Sequence, residues 1–211
     1  MIRQAVKDIY MQSVRFASLP GGVLARFQYR RSPAPEGHYL HLGCGEHYIK
    51  GMINIDGNIT RRKDLWWDLR NRLPFGSGTA AFVYCSHTLE HFYPDDALQL
   101  LREIRRVLSP AGTCRVVVPS LEYALRIASG EAASNWPRAF ADPMAQALNY
   151  LFCDGQHRYG YSLSLLTEFA KQAGFSRVID RSATSGVSPV TYGRVTVGDE
   201  PVGSLVVELS P

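Results

Sequence analysis

"LHLGCGEHYIKGMINID", residues 40–56, decides the fold. One apolar run ends in Gly43, Cys44 and Gly45, and a second stops at Asp56. A strand that ends in a glycine turn, with a carboxylate closing the next strand, cradles a nucleotide. Only the first two glycines of G-x-G-x-x-G are matched; the third position is Tyr48. That third glycine lets helix and strand pack closely beside a pyrophosphate. Its absence counts against NAD and FAD. A ligand without phosphates needs only close backbone approach at Gly43 and Gly45, and Asp56 to accept ribose hydroxyls. S-adenosylmethionine fits that description. The alternative is an ordinary tight turn, with Asp56 capping the segment after it.

Around this stretch, apolar runs alternate with helical spacers. Strands are expected at 39–43, 51–56, 64–69, 80–86 and 114–119, then at 175–180 and 203–209. Runs this evenly apolar, with helical spacers, imply an α/β fold, a mostly parallel sheet covered on both faces. The clearest helix is 94–109. Pro94 suits the first position, Asp95 and Asp96 oppose the dipole's positive end, and Ala97, Leu101, Ile104 and Leu108 form a stripe that Leu98, Leu100 and Val107 widen. "SPAG" (109–112) is expected to stop it. A last helix is expected at 162–174, closed by Gly174, and a loop or hairpin at 182–202.

The 211 residues suffice for one such domain with a small appendage. Residues 1–37 read as an N-terminal amphipathic arm, cut off by "SPAPEG" (32–37), and residues 38–211 as the domain. In the arm, Ile2, Val6, Ile9 and Tyr10 recur at helical spacing and are expected to pack on the domain. Its first 31 residues carry six basic side chains against Asp8, so weak membrane-surface contact or a transit peptide are further readings. A net charge of +4 is too small to argue for nucleic acid. Cys44, Cys85, Cys114 and Cys153 lack metal or redox spacing and point to a reducing, cytoplasmic setting. No window is apolar enough to cross a membrane.

In order, "LHLGCG", "INID", "WWDLRNRLPF", "VYCSHTLEH", "LREIRRVLSPAG", "RVVVPS" and "YGYS…LLTEFAKQAGF" resemble class I S-adenosylmethionine-dependent methyltransferases of the type 11 kind. The nearest likeness is a bacterial subgroup often found among polysaccharide-biosynthesis genes. The resemblance implies a Rossmann-like seven-stranded sheet of order 3-2-1-4-5-7-6 with its last strand antiparallel. Gly43, Cys44 and Gly45 would wrap the methionine part of the cofactor and Asp56 would hold the ribose. Asp68 would accept from the adenine amino group beside Leu69, and Ser86 and His87 would face the sulfonium. One position departs. The family usually has an acid two residues before the first glycine, to place the ammonium; here it is His41. Only neutral imidazole can accept there.

Methyl transfer needs a base only when the acceptor must lose a proton, as a sugar hydroxyl must. His87, after the fourth strand, is the first candidate and His157, in "DGQHRYGY", the second; each could instead be an ordinary loop histidine. His91 reads as a capping or packing residue. Trp66 and Trp67 could flank adenine or fill the core. Residues 120–161 read as a helical cover for the acceptor, with an apolar stripe at 121, 124, 125 and 128. The acceptor is expected to be a small molecule or saccharide-linked, the reaction O-methylation, and no metal is expected. "HTLEH" (87–91) also fits the inverted zinc-protease motif H-x-x-E-H. That motif works only on one helix, and Pro94 starts the helix too late. A methyltransferase fold serving as an inactive binding subunit is the other rival.

Overall fold

The computed structural model describes residues 4–29, 36–133, 141–186, 189–198 and 200–211. Ile2, most of the "SPAPEG" breaker and 134–140 of the expected cover lie outside these residues.

Helices α1 (Gln4–Ala17) and α2 (Leu19–Gln28) precede the sheet. The strands are β1 (His38–Leu42), β2 (Ile53–Asp56), β3 (Leu65–Trp66), β4 (Ala80–Ser86), β5 (Leu108–Pro119), β6 (Arg177–Asp180), β7 (Val190–Tyr192), β8 (Val195–Val197) and β9 (Ser204–Ser210). Seven form one sheet of order 3-2-1-4-5-9-6. Strands β1 to β5 are mutually parallel, and β9 runs antiparallel between β5 and β6. This is the expected order, with β9 as the seventh sheet strand. The stretch 182–202 takes the hairpin alternative, as β7 pairs with β8.

Helix α3 (Pro94–Val107) starts at the proline and buries Ala97, Leu100, Leu101, Ile104 and Val107. "SPAG" does not follow it as a breaker. Those residues already belong to β5, whose first residue pairs with Ala80 of β4. Helix α6 (Leu163–Gln172) is capped by Ser162, whose Oγ accepts from Leu165 N at 3.2 Å. Both helices pack on one sheet face, against Leu40, Val83, Cys85 and Val116.

The other face is covered as well, but by a hairpin. Its apolar residues, Tyr39, Phe82, Tyr84, Val117 and Val206, are covered by Val195 and Val197 of the hairpin, with Met52. No helix follows the glycine turn. The segment 43–52 between β1 and β2 is all turns, with Gly51 at φ 91°. Ten residues are too few for a full crossover helix beside a turn. The buried Asn54 side chain holds this loop instead, donating to Ile49 O (2.9 Å) and Met52 O (3.0 Å) and accepting from Ile49 N (2.9 Å).

The arm packs on the domain through a different stripe from the one expected. Val14 is buried, while Val6 and Ile9 are 54% and 68% exposed. Tyr10 Oη donates to Gly57 O at 2.9 Å and accepts from Ile59 N at 2.9 Å. Arg70 Nη2 donates to Met11 O (2.6 Å) and Asn71 Nδ2 to Arg15 O (2.7 Å). Helix α1 therefore lies against the loops that follow β2 and β3. In the cover, α4 (Leu121–Ala128) and α5 (Pro143–Phe152) pack on each other through Ala124, Ile127, Ala147 and Tyr150. The α4 stripe also differs from the expected one: Ile127 is buried, and Leu125 is 62% exposed.

Candidate functional site

The glycine turn stands at the carboxyl end of β1, with Gly43 at φ 67° and Gly45 at φ 49°, a region that favours glycine. The two glycines do different things. A Cβ on Gly43 would lie 2.2 Å from Thr88 Oγ1, so this glycine lets the loop after β4 close on β1. A Cβ on Gly45 would meet nothing within 4 Å and would point into open space. Gly45 N donates to Asp56 Oδ2 at 2.8 Å, and Asn58 N donates to Asp56 Oδ1 at 2.6 Å. Asp56 thus ties the turn to the end of β2 and also caps the loop after it, with room on a carboxylate for further donors.

Cys44 is buried, and burial pushes its thiol up to about 11, so it packs and does not react. Cys44, Cys85, Cys114 and Cys153 are all free thiols.

His41 is buried against Tyr84, with ring centroids 5.2 Å apart. Burial lowers its pKa to about 4, outweighing the Asn54 hydrogen bond that favours the charged form. Its ring is therefore neutral at pH 7. Nδ1 donates to Asn54 Oδ1 at 3.1 Å, leaving the Nε2 lone pair. The unfolded state takes up this proton near pH 6.5 and the folded state only near 4, so stability falls as pH drops between them. His41 should contribute about 2 kcal/mol of stability loss between pH 7 and pH 5. Urea unfolding across that range, for the wild type and for His41→Gln, checks this. Equal pH slopes in the two proteins would show that His41 titrates normally.

Asp68 is brought near but not left open. Its carboxylate is buried and takes Arg70 Nε (3.0 Å), Arg70 Nη2 (2.6 Å) and Arg70 N (2.9 Å). Leu69 beside it is buried. Trp66 Nε1 donates to Gly57 O at 2.8 Å. Trp67 is core, with Gly22 of α2 directly on its ring.

Past β4, His87 adopts φ 46°, unusual for a non-glycine residue and a common sign of a constrained functional position. Its side chain is one-third exposed. Nδ1 lies 3.2 Å from Glu90 Oε1, and Nε2 lies 3.3 Å from Ser204 Oγ. Ser86 precedes it at the strand end, half-buried.

Glu90 is the residue the sequence reading passed over. It is completely buried, in a 3-10 turn spanning Leu89–His91. Burial alone would raise its pKa, but His87, His91 and His157 together hold it below the usual carboxylate value. Glu90 O accepts from Arg158 N at 2.7 Å and Tyr159 N at 3.2 Å, which docks the end of the cover on this turn. His157 Nε2 lies 3.9 Å from Glu90 Oε1, and burial lowers the pKa of His157. Arg158 also pairs with Asp8 of α1, so arm and cover meet beside the same turn. His87 follows the end of β4 and Glu90 and His91 sit in a 3-10 turn, so the single helix required by the zinc-protease motif is not formed.

Comparison with known proteins places this geometry in context. The family model described as a methyltransferase domain matches residues 56–116, from the end of β2 into β5. No curated protein matches the sequence. An S-adenosylmethionine-dependent methyltransferase from Archaeoglobus fulgidus superposes with TM-score 0.54 at 13% identity, covering 97% of this chain and 99% of that one. A Thermotoga maritima methyltransferase, a candidate histamine N-methyltransferase, gives TM-score 0.50 at 17% identity, covering 99% and 95%. A candidate O-methyltransferase from Nostoc punctiforme matches at TM-score 0.49 and 14% identity; 96% of this chain is covered, but it spans only 60% of that protein's length. The sheet order, the antiparallel seventh strand and the full-length superpositions identify the Rossmann-like methyltransferase fold.

Proposed function

We propose that the protein transfers a methyl group from S-adenosylmethionine to a small-molecule or saccharide-linked acceptor, as an O-methyltransferase. The observation that carries this reading is the turn at Gly43–Gly45, tied through Gly45 N to Asp56 and opening on free space at Gly45. No helix N-terminus stands behind the turn to receive a pyrophosphate, which favours a nucleoside ligand without phosphates. The cofactor supplies a methyl group already activated on a sulfonium. Gly43, Cys44 and Gly45 hold its methionine part and Asp56 its ribose. His41, neutral, can accept from the ammonium through Nε2. Ser86 and His87, at and just past the end of β4, would face the sulfonium. His87 would take the proton that the acceptor hydroxyl loses on methylation. Glu90 beside His87 supports the imidazolium that results. His157 is the second base candidate, with its ring turned towards Glu90. The described parts of the cover, 120–133 and 141–161, would keep water from the crevice. The exposed Ile9, Phe16, Leu24 and Phe27, with Arg15 and Arg26 on the same helices, suit weak contact with a membrane surface.

The inactive-subunit reading keeps one observation in its favour: Arg70 already fills the Asp68 carboxylate that the adenine amino group would need. Calorimetry with S-adenosylhomocysteine separates the possibilities. Asp56→Ala should weaken binding by about 1.5–3 kcal/mol, the worth of hydrogen bonds to a charged acceptor. Unchanged affinity would remove the ribose assignment. Binding without methyl transfer to any sugar or small hydroxyl acceptor would favour the subunit.

A further inference from the structure

We propose that Glu90, His91 and His157 form a binding site for a divalent transition-metal ion. One donor atom from each residue lies within 4.8 Å of the other two, so small side-chain shifts bring all three onto a single ion. The donor set, two imidazoles and a carboxylate, suits zinc, cobalt, iron or nickel.

The orientation of the rings supports this. His157 Nδ1 faces Leu151 O at 2.7 Å, and His91 Nδ1 faces Gln156 O at 3.1 Å. A carbonyl oxygen only accepts, so both Nδ1 atoms donate, and in the neutral tautomer it is Nε2 that offers the lone pair. Metal-bound histidines are held in this way, with the second nitrogen donating to a backbone carbonyl. The rings meet edge to face, with centroids 5.0 Å apart.

The carboxylate supplies an independent observation. Glu90 is completely buried, and neither Oε1 nor Oε2 has a hydrogen bond of good geometry; the His87 approach at 3.2 Å counts as an ion pair only. A buried carboxylate with one imperfect contact is rare because the loss of solvation is costly. A cation satisfies one directly. Arg158, whose main-chain N–H bonds Glu90 O, turns its side chain to Asp8. Main-chain bonds from Arg158 N and Tyr159 N to Glu90 O fix the segment bearing His157 on the turn bearing the other two ligands. His91 is exposed, which gives an ion a route in. Three protein ligands leave coordination positions open, as at catalytic zinc. Use of the ion as a Lewis acid on an acceptor hydroxyl rests on the methyltransferase reading; its binding does not.

The test uses the full chain, stripped by a chelator and titrated with Co²⁺ without cofactor. One ion per chain is expected, with the visible absorption of histidine-ligated cobalt and a rise in Tm. His91→Ala removes an exposed side chain and should leave the fold intact. His91→Ala and Glu90→Gln should each weaken Co²⁺ binding about tenfold or more. His47→Ala, at another exposed histidine, should not. Absence of stoichiometric binding, or binding that both ligand variants leave unchanged, would overturn the proposal. S-adenosylhomocysteine calorimetry on the same stripped sample keeps the two readings apart. Nucleoside binding without cobalt sinks only the metal site, and cobalt binding without nucleoside sinks only the methyltransferase.

Discussion

Glu200→Ala should cost about 3–5 kcal/mol of folding stability, the usual penalty for stranding one partner of a buried ion pair. The stranded group is Arg115 of β5, whose side chain is 1% exposed. Its guanidinium meets Glu200 bidentately, Nε to Oε1 and Nη2 to Oε2, both at 2.6 Å. Nη2 also donates to Thr184 Oγ1 (2.8 Å), and Nη1 donates to Tyr192 Oη (3.2 Å) and Glu208 Oε1 (3.4 Å). Glu208 offsets part of the loss, but it already pairs with Arg181 and accepts from Tyr192. The pair pins the β7–β8 hairpin on the sheet face that it covers. Tyr192 stacks on Phe82 at 4.1 Å, so release of the hairpin would expose Phe82, Tyr39 and Tyr84. Urea unfolding measures the loss, and binding of a hydrophobic dye reports the exposed face. A loss under about 1 kcal/mol would mean that the hairpin is held by its apolar contacts alone. The double variant Arg115→Met with Glu200→Leu should recover most of the stability, because no charge is left buried.

That network also marks where the sequence stops being readable. Arg115 stands in "CRVVVP", where a lone arginine in a strand reads as a solvent-facing residue; its partner lies 85 positions away. No local pattern joins them. By contrast, β4 is legible to the residue, because six consecutive apolar positions and Ser86 are bounded by turn residues on both sides. Helix α5 is equally legible, because Pro143 opens it and Asp142 caps it through Met144 N at 3.0 Å. The strand order came from family resemblance, since apolar runs do not say which neighbours pair. The missing helix after Gly45 could have been anticipated from the ten residues between β1 and β2 and from Gly51 among them. The Asp68–Arg70 pair was half visible: the spacing is in "WWDLR", but the burial that makes it bidentate and closed is not. "HTLEH" was read for its spacing on a helix, whereas its glutamate and second histidine meet His157 from a distant segment. The outward apolar residues of α1 misled for a simpler reason. An amphipathic pattern gives the width of a face, and tertiary contacts choose which side turns inward.

Gly45→Val should remove S-adenosylhomocysteine binding, by about 3 kcal/mol or more (roughly hundredfold), while the protein still unfolds in one cooperative transition. The reason lies in the contrast with Gly43. Both are at positive φ, so any side chain at either position costs about 1–2 kcal/mol of backbone strain, more when branched. At Gly43 the new Cβ would also collide with Thr88, 2.2 Å from Oγ1 and 2.6 Å from Cγ2. Thr88 cannot yield freely, since its hydroxyl donates to Ser86 O at 2.9 Å and the residue is buried between β1 and β4. Gly43→Ala should therefore lower the melting temperature by more than Gly45→Val does, although alanine is the smaller side chain. At Gly45 nothing in the protein stands within 4 Å of the added carbon. The valine would fill space that only a ligand uses, beside the amide that Asp56 holds at 2.8 Å. Thermal melts and calorimetry on both variants give two independent readouts. A Gly45→Val protein that binds the nucleoside as the wild type does would show that the open space beside the turn is solvent and that the ligand lies elsewhere. A Gly43→Ala protein as stable as the wild type would show that the loop after β4 moves away from β1 at little cost. In that case the turn could reshape around a ligand, and the open space at Gly45 would no longer fix where the methionine part must lie.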